Sequence, residues 1–262
     1  MATPSPCRLF HSTHGCSRGD ACKFSHERGR GPRPDSELAS TGASWLAVLD
    51  FEATCWKDSR SKQRAETEII EFPTVLYRVG ASGPGRATDV LELVGEWRSF
   101  VRPTVNPVLS EFCTQLTGIT QAQVDSAASL PEVLAAHATW LETATSGAPP
   151  EAVLFVTCGN WDLGTCLPLE LQNKRLVYPS PCYARWVNAK QEFAAEFSLK
   201  GRFGMTDMLR AAGLALEGHH HSGLDDSRNI GRCLEALWRR GRKSFTVHSL
   251  AGASAAHGAP LG

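Results

Sequence analysis

The chain reads as an α/β fold, and three features predict it. An apolar run, Trp45-Leu-Ala-Val-Leu-Asp50-Phe51-Glu52, ends in two acids rather than in a turn. Two further strand-like segments follow it as a meander. Helical stretches then enclose one more apolar run, Glu151-Ala-Val-Leu-Phe-Val-Thr-Cys158. Strands, helices, a strand and helices again is the order of an α/β domain. With 262 residues and 42% hydrophobic content, the chain can bury one good-sized core and carry a small appendage.

The appendage comes first. Cys7, Cys16, Cys22 and His26 offer three thiolates and one imidazole within twenty residues, enough to close a tetrahedral shell around one Zn²⁺. The segment contains almost nothing else apolar, so metal rather than a core would give it its fold. The spacing, with Gly15, Gly19 and the Cys22-Lys23-Phe24-Ser25-His26 ending, resembles the CCCH zinc-finger family. That resemblance implies single-stranded RNA binding, with Phe10 and Phe24 as stacking aromatics; protein contact is the other use of such fingers. The finger is placed at residues 1–27, and the Gly/Pro/Ser-rich stretch 28–43 reads as a linker.

Residues 44–243 form the main domain. The first strand is Trp45 to Glu52; a polar loop spans Trp56 to Arg64; Glu68 to Val79 reads as a β-branched second strand. Gly80 to Arg86 is a turn-rich break, and Val90 to Val101 supplies the third strand. Ser110 is a plausible N-cap for a helix that puts Phe112 and Leu116 on one face. Thr120 opens a second helical stretch, and Leu130 to Leu141 has apolar residues at helical spacing. After the Glu151–Cys158 strand, a long helical region runs to about Phe197, broken at Tyr178-Pro-Ser-Pro181. A short helix covers Met205 to Ala212, and a final one ends at Arg240. The tail 244–262 is small and polar and reads as flexible.

Charge is zero overall but unevenly placed. Residues 1–34 carry a net +4 and residues 228–243 a net +5, which leaves the middle acidic. Basic ends around an acidic centre suit a metal-dependent site that recruits a polyanion, although basic segments are more often ordinary solvated surface. Nine cysteines, an odd number, with no leader-like start and no run of ~18–20 apolar residues, point to a reducing compartment: cytoplasm and/or nucleus, off membranes.

On a strand, Asp50 and Glu52 face the same side. Two carboxylates on one face repel unless cations lie between them, or unless the strand simply runs out into solvent. Asp162 just follows a strand, and Asp226 falls in the first turn of a helix, where acids are also favoured as caps. In α/β folds such positions converge at strand ends. Four carboxylates and a histidine from His219-His220-His221 would suit two Mg²⁺ (or Mn²⁺) ions and a general base.

The order Asp-x-Glu, Asp, His-x4-Asp resembles the DEDDh exonucleases. The strings Asp50-Phe-Glu-Ala-Thr-Cys55, Asn106-Pro-Val-Leu-Ser-Glu-Phe-Cys113, Leu116-Thr-Gly-Ile-Thr-Gln121, Gly159-Asn-Trp-Asp162 and His221-Ser-Gly-Leu-Asp-Asp-Ser-Arg-Asn-Ile230 look like the enhanced-RNAi 3′→5′ exoribonuclease family. That resemblance covers roughly residues 44–248. It implies a ribonuclease H-like fold, a mixed five-stranded sheet flanked by helices. It also implies hydrolysis of RNA from a 3′ end to nucleoside 5′-monophosphates, by a chain expected to be a monomer.

Carried over, Asp50, Glu52, Asp162 and Asp226 would hold the metals and His221 would be the base; were Asp225 the ligand, His220 would have the base's spacing instead. Phe51, Thr54, Phe112, Leu116 and Trp161 would contact the terminal nucleotide, with core packing the other reading of Phe112 and Leu116. A deoxyribonuclease of the same chemistry, or an idle RNA-binding adaptor on this fold, are the alternatives.

Overall fold

The computed structural model describes residues 43–57, 66–80, 91–242 and 244–250. The expected finger, nearly all of the linker, much of the two turn-rich loops and the end of the tail lie outside the described residues. No described helix is long and apolar enough to cross a membrane.

The architecture is a mixed sheet covered by helices on both faces, the ribonuclease H-like arrangement. Its strands are β1 (Trp45–Val48), β2 (Glu52–Ala53), β3 (Ile69–Val79), β4 (Leu91–Phe100), β5 (Val153–Thr157), β6 (Arg185–Asn188) and β7 (Val247–Ser249). The order is β2-β3-β1-β5-β6-β7, with β4 also paired to β3. β1 runs antiparallel to β3 (Val48 opposite Val75) and parallel to β5 (Val48 opposite Val156). β6 joins β5 in parallel, and β7 closes on β6 antiparallel. Two short strands, β2 and β7, extend the expected five.

Three readings of the sequence are corrected. The first strand ends at Val48, and Glu52–Ala53 forms a separate short strand paired to β3, with a register shift at Glu52/Ala53. The 178–197 region is not one interrupted helix, for Arg185–Asn188 enters the sheet as β6. The tail is not wholly irregular, since Val247–Ser249 pairs with β6.

The helices are α1 (Glu111–Thr117), α2 (Gln121–Asp125), α3 (Leu130–Ala144), α4 (Leu167–Lys174), α5 (Ala189–Phe197), α6 (Met205–Ala211) and α7 (Gly223–Arg239). Ser110 caps α1 by accepting from the Cys113 N–H, as its residue type predicts. Alternation along β1 divides the core in two. Leu46 and Val48 face α5, α6 and α7, whereas Ala47 and Leu49 face α3 and α4. α7 buries Ile230, Cys233, Leu234 and Leu237, a 3–4 spacing that makes one apolar stripe. Each large apolar side chain so buried contributes roughly 1.5–3 kcal/mol.

A buried ion cluster braces the start of β3. Glu68 accepts from the N–H groups of Thr104 (2.7 Å), Val105 (2.9 Å) and Asn106 (2.8 Å), and pairs with Lys174 at 2.8 Å. Lys174 also holds Glu170 (2.7 Å), which accepts from the Ile69 N–H. Burial acts to raise the Glu68 pKa, but Lys174 and the backbone donors outweigh it and leave the group below its ordinary 4.5. A depressed folded-state pKa gives stability that is present above about 4.5 and lost as pH falls through the lower folded value. Glu68→Gln should therefore cost roughly 1.5–3 kcal/mol near neutral pH, since it removes one of Lys174's two carboxylate partners and the charge that three backbone N–H groups point at. The deficit against wild type should shrink below pH 4.5. A deficit independent of pH in denaturant titrations would refute the charge-based account.

Candidate active site

Three elements bring the acids together. Asp50 and Glu52 lie where the chain leaves β1 for β2. Asp162 opens a wide π-type turn (Asp162–Cys166) just past β5, reached through Gly159 at φ 117°. Such turns relax helical packing at a point where a side chain must be re-aimed. Asn160 anchors that exit by accepting from Trp186 Nε1 and Asn188 Nδ2, each at 3.0 Å. Asp162 then accepts from the Phe51 N–H at 3.0 Å, which ties the two strand ends directly. Asp226 stands in the first turn of α7.

The electrostatics are those of crowded, poorly hydrated carboxylates. Burial, then the charges of Asp162, Asp226 and Glu52, push Asp50 well above the usual carboxylate range. Glu52 is raised to about 9 by burial and by Asp226 and Glu71. Burial also raises Asp162 and Asp226, each to about 6; the Phe51 and Asp162 backbone N–H groups partly relieve the first, and the His221 N–H with His220 the second. Asp226 Oδ2 takes the His221 N–H at 2.8 Å, while its buried Oδ1 has no hydrogen-bond partner among the described residues. Four mutually repelling carboxylates and an orphaned buried oxygen fit a divalent cation's demand for hard oxygen ligands. Asp225 is differently employed. It accepts from the His219 N–H and from Arg228, both at 3.0 Å.

Sequence reasoning missed the anchor of α7. Glu71, fully buried on β3, accepts from the N–H groups of Gly223 and Leu224 (3.1 Å each) and is paired with Arg98 at 2.8 Å. A carboxylate at a helix start satisfies free N–H groups and the helix dipole together. A lone Glu inside Ile69-Ile70-Glu71-Phe72 was the available signal. Gly223 allows the close approach, for a Cβ there would stand 2.7 Å from the Asp50 carbonyl oxygen and 3.2 Å from Glu71 Cδ. Gly223→Ala must push the Asp226 turn away from Asp50. Since a misplacement of about 1 Å can cost about 10²-fold, the variant should lose activity on that scale while melting as one cooperative unit. Wild-type rates would show that the approach is not needed.

The histidines sit on a strained turn. His221 has φ 68°, in the left-handed region, and is held there by its own N–H on Asp226. The His220 and His221 rings stack at 4.0 Å, and His220 Nε2 lies 4.0 Å from Asp226 Oδ2. Ligand atoms of His220, His221 and Asp226 all fall within 4.8 Å of one another. Spacing alone therefore did not separate the two histidines in space; both reach Asp226. His221 is lowered from its ordinary value by burial and by its neighbouring histidines.

A cavity of about 740 Å³ opens beside the acids, and Phe51, Glu52, Thr54, Leu116 and Trp161 all line it. Trp161 is 45% exposed and free to stack. Phe112 is 36% exposed but does not line the cavity. Phe51 is buried against Phe72 (centroids 4.6 Å), and the Thr54 hydroxyl accepts from the Glu68 N–H, so both shape the wall as well as facing the void.

A family model described as Exonuclease (RNase_T) matches residues 47–234, from β1 to the middle of α7. The chain belongs to this exonuclease family. ERI1 exoribonuclease 2 of Danio rerio is 41% identical over 219 residues, 79% of this chain and 37% of its own length. 3′-5′ exoribonuclease 1 of Homo sapiens is 35% identical over 199 residues, 76% of this chain and 53% of its own. The chain thus spans about half or less of these relatives. The solved nuclease domain of 3′hExo, described as a DEDDh family member bound to rAMP, superposes with a TM-score of 0.68 at 32% identity. That match covers 79% of this chain and 98% of that domain. An exonuclease domain of this type implies divalent metal ions, and the acid cluster fits them. Within the exonuclease family's span, the strand ends, the π-type turn and the Glu71-anchored helix are what gather the acids.

Proposed function

We propose that the protein is a 3′→5′ exoribonuclease that releases nucleoside 5′-monophosphates. The observation that carries this reading is the convergence of Asp50, Glu52, Asp162 and Asp226 beside a cavity with an exposed tryptophan at its wall. Those four carboxylates would hold two Mg²⁺ (or Mn²⁺) ions, which when bound supply Lewis acidity to the scissile phosphodiester and its attacking water. His221 accepts the proton of that water at a ring nitrogen. Water attacks phosphorus, the bond to the 3′ oxygen of the preceding nucleotide breaks, that oxygen takes a proton from solvent to become the new 3′ hydroxyl, and the terminal nucleotide leaves as its 5′-monophosphate. Trp161 and Leu116 stack the terminal base in the cavity, with Phe112 beside it on the α1 face, a contact that tolerates any base. Phe51 and Thr54 form the wall that seats it. The kinship with named exoribonucleases, one relative holding rAMP, favours RNA over DNA.

A 5′-labelled single-stranded RNA should shorten from its 3′ end with Mg²⁺ or Mn²⁺ and not with chelator, faster than the matched DNA. Internal cleavage, or no cleavage, would overturn the reading.

The N-terminal segment belongs to the same proposal. Cys7, Cys16, Cys22 and His26 bind one Zn²⁺ and help dock RNA, and the protein acts as a monomer in cytoplasm or nucleus. Elemental analysis should find about one zinc per chain, lost in Cys16→Ser, with trimming of a short oligomer little changed. A zinc-free wild type would sink this part.

A further inference from the structure

We propose that Cys55 and Cys113 are an oxidation site, closing to a disulfide that switches the exonuclease site off. Cys55 follows β2 and lines the cavity, where it is partly exposed; Cys113 is buried in α1. Their side chains are in hydrogen-bonding contact, and the Cys113 sulfur also meets the Cys55 N–H and the Ala53 carbonyl, the latter at 3.7 Å. Ser110, the cap of α1, donates to the Cys55 carbonyl at 2.6 Å, so the two backbones are already clasped. Cys55 also packs against the small apolar cluster of Ile70, Leu109, Cys113, Ile119 and Val124. Burial pushes up the thiols of Cys158, Cys166, Cys182 and Cys233, and the Cys55 thiol is raised too, first by its hydrogen bond to Cys113 and then by burial. In the pair, the S–H of Cys55 draws the Cys113 thiol below its ordinary range despite burial. The sulfur that reaches the cavity is that of Cys55, and passing its proton to the Cys113 sulfur makes it the thiolate that reacts.

The oxidant is a hydroperoxide. The cavity-facing sulfur attacks a peroxide oxygen, so an S–O bond forms, the O–O bond breaks and hydroxide leaves. The Cys113 sulfur then attacks that sulfur, forming S–S and expelling a second hydroxide. The two thiol protons convert both hydroxides to water. The sulfurs lose two electrons and the peroxide gains them. Contraction from thiol contact to an S–S bond of ~2.05 Å pulls the Thr54–Trp56 wall toward α1 and Leu116. That wall begins two residues after Glu52, so the seat of the terminal nucleotide shifts against the acids.

The test uses the full chain, treated with hydrogen peroxide that is removed before assay on short RNA with Mg²⁺. Expected are a Cys55–Cys113 linked peptide in non-reducing digests and a rate at least ~10-fold below the reduced protein. Dithiothreitol should restore the rate. Cys113→Ser and Cys55→Ser, each judged against its own reduced rate, should resist the same treatment. Absence of the linked peptide overturns the proposal, as does equal inhibition of either variant or a linked protein of undiminished rate. If one variant fails to fold, the other and the wild-type digest decide. The activity readout rests on the exonuclease reading, but the linked peptide does not. A reduced wild type that cleaves nothing would refute that reading alone.

Discussion

Asp50→Ala is expected to abolish RNA trimming while the protein stays folded and still binds RNA. Asp50 sits under the combined field of Asp162, Asp226 and Glu52 in a poorly hydrated site. Without cations that arrangement is unfavourable, so deleting one carboxylate removes repulsion rather than support. The variant's melting temperature in chelator should equal or exceed that of wild type. The rate should fall at least about 10³-fold, because cation-borne stabilisation of the transition state amounts to several kcal/mol and each ~1.4 kcal/mol is tenfold. Asp162→Ala should behave alike. Asp225→Asn is the informative contrast. Its carboxylate is committed to His219 and Arg228 outside the cluster, and it should keep most of its rate. Near-normal Mg²⁺-dependent rates in Asp50→Ala would dismiss the cluster as the reaction centre.

His221→Ala should follow with a loss of roughly 10²–10⁴-fold, the contribution of a positioned general base. Metal affinity should survive, because the carboxylates carry it. The backbone of His221 is fixed on Asp226 by a hydrogen bond, whereas His220 approaches the same acid only by its ring, at 4.0 Å. His219 offers its backbone to Asp225 instead. Rates for the three single alanine variants should therefore rank His221 lowest by a wide margin, with His219 near wild type. The largest loss at His220 would transfer the base to that residue.

The α/β class, the three-strand meander and the four acids could be read from the sequence for a shared reason. Each is local: an apolar run, an alternation, or a charge where an apolar run ends. What escaped was held by distant partners. β6 is four residues between a proline turn and a helix, too short to show a period of two, and it is a strand because Phe155 and Val156 lie beside it. β7 depends on β6 in turn. Glu71 gains its meaning from Gly223 and Leu224, more than 150 positions away; its place in an apolar run signals burial but not the helix it anchors. Trp161, Leu116, Phe51 and Thr54, which the motif strings single out, line one cavity. Phe112, from the same face of α1, stayed outside its lining.

Helices usually fray from both ends, because the outermost turns have the fewest internal bonds. In α7 the two ends are unequal. Its first turn is clamped by Glu71 and seated on Asp50, and eight residues (about 12 Å) further on Gly231 presses its bare backbone onto Tyr77 of the same strand. Its last turn ends in exposed arginines. Those arginines are held by surface ion pairs to Glu235 and Glu196, which contribute little, so hydrogen exchange is expected to open the helix from the far end inward. Asp226 lies between the two glycine seats, and as the domain loosens it is among the last side chains of α7 to lose its place.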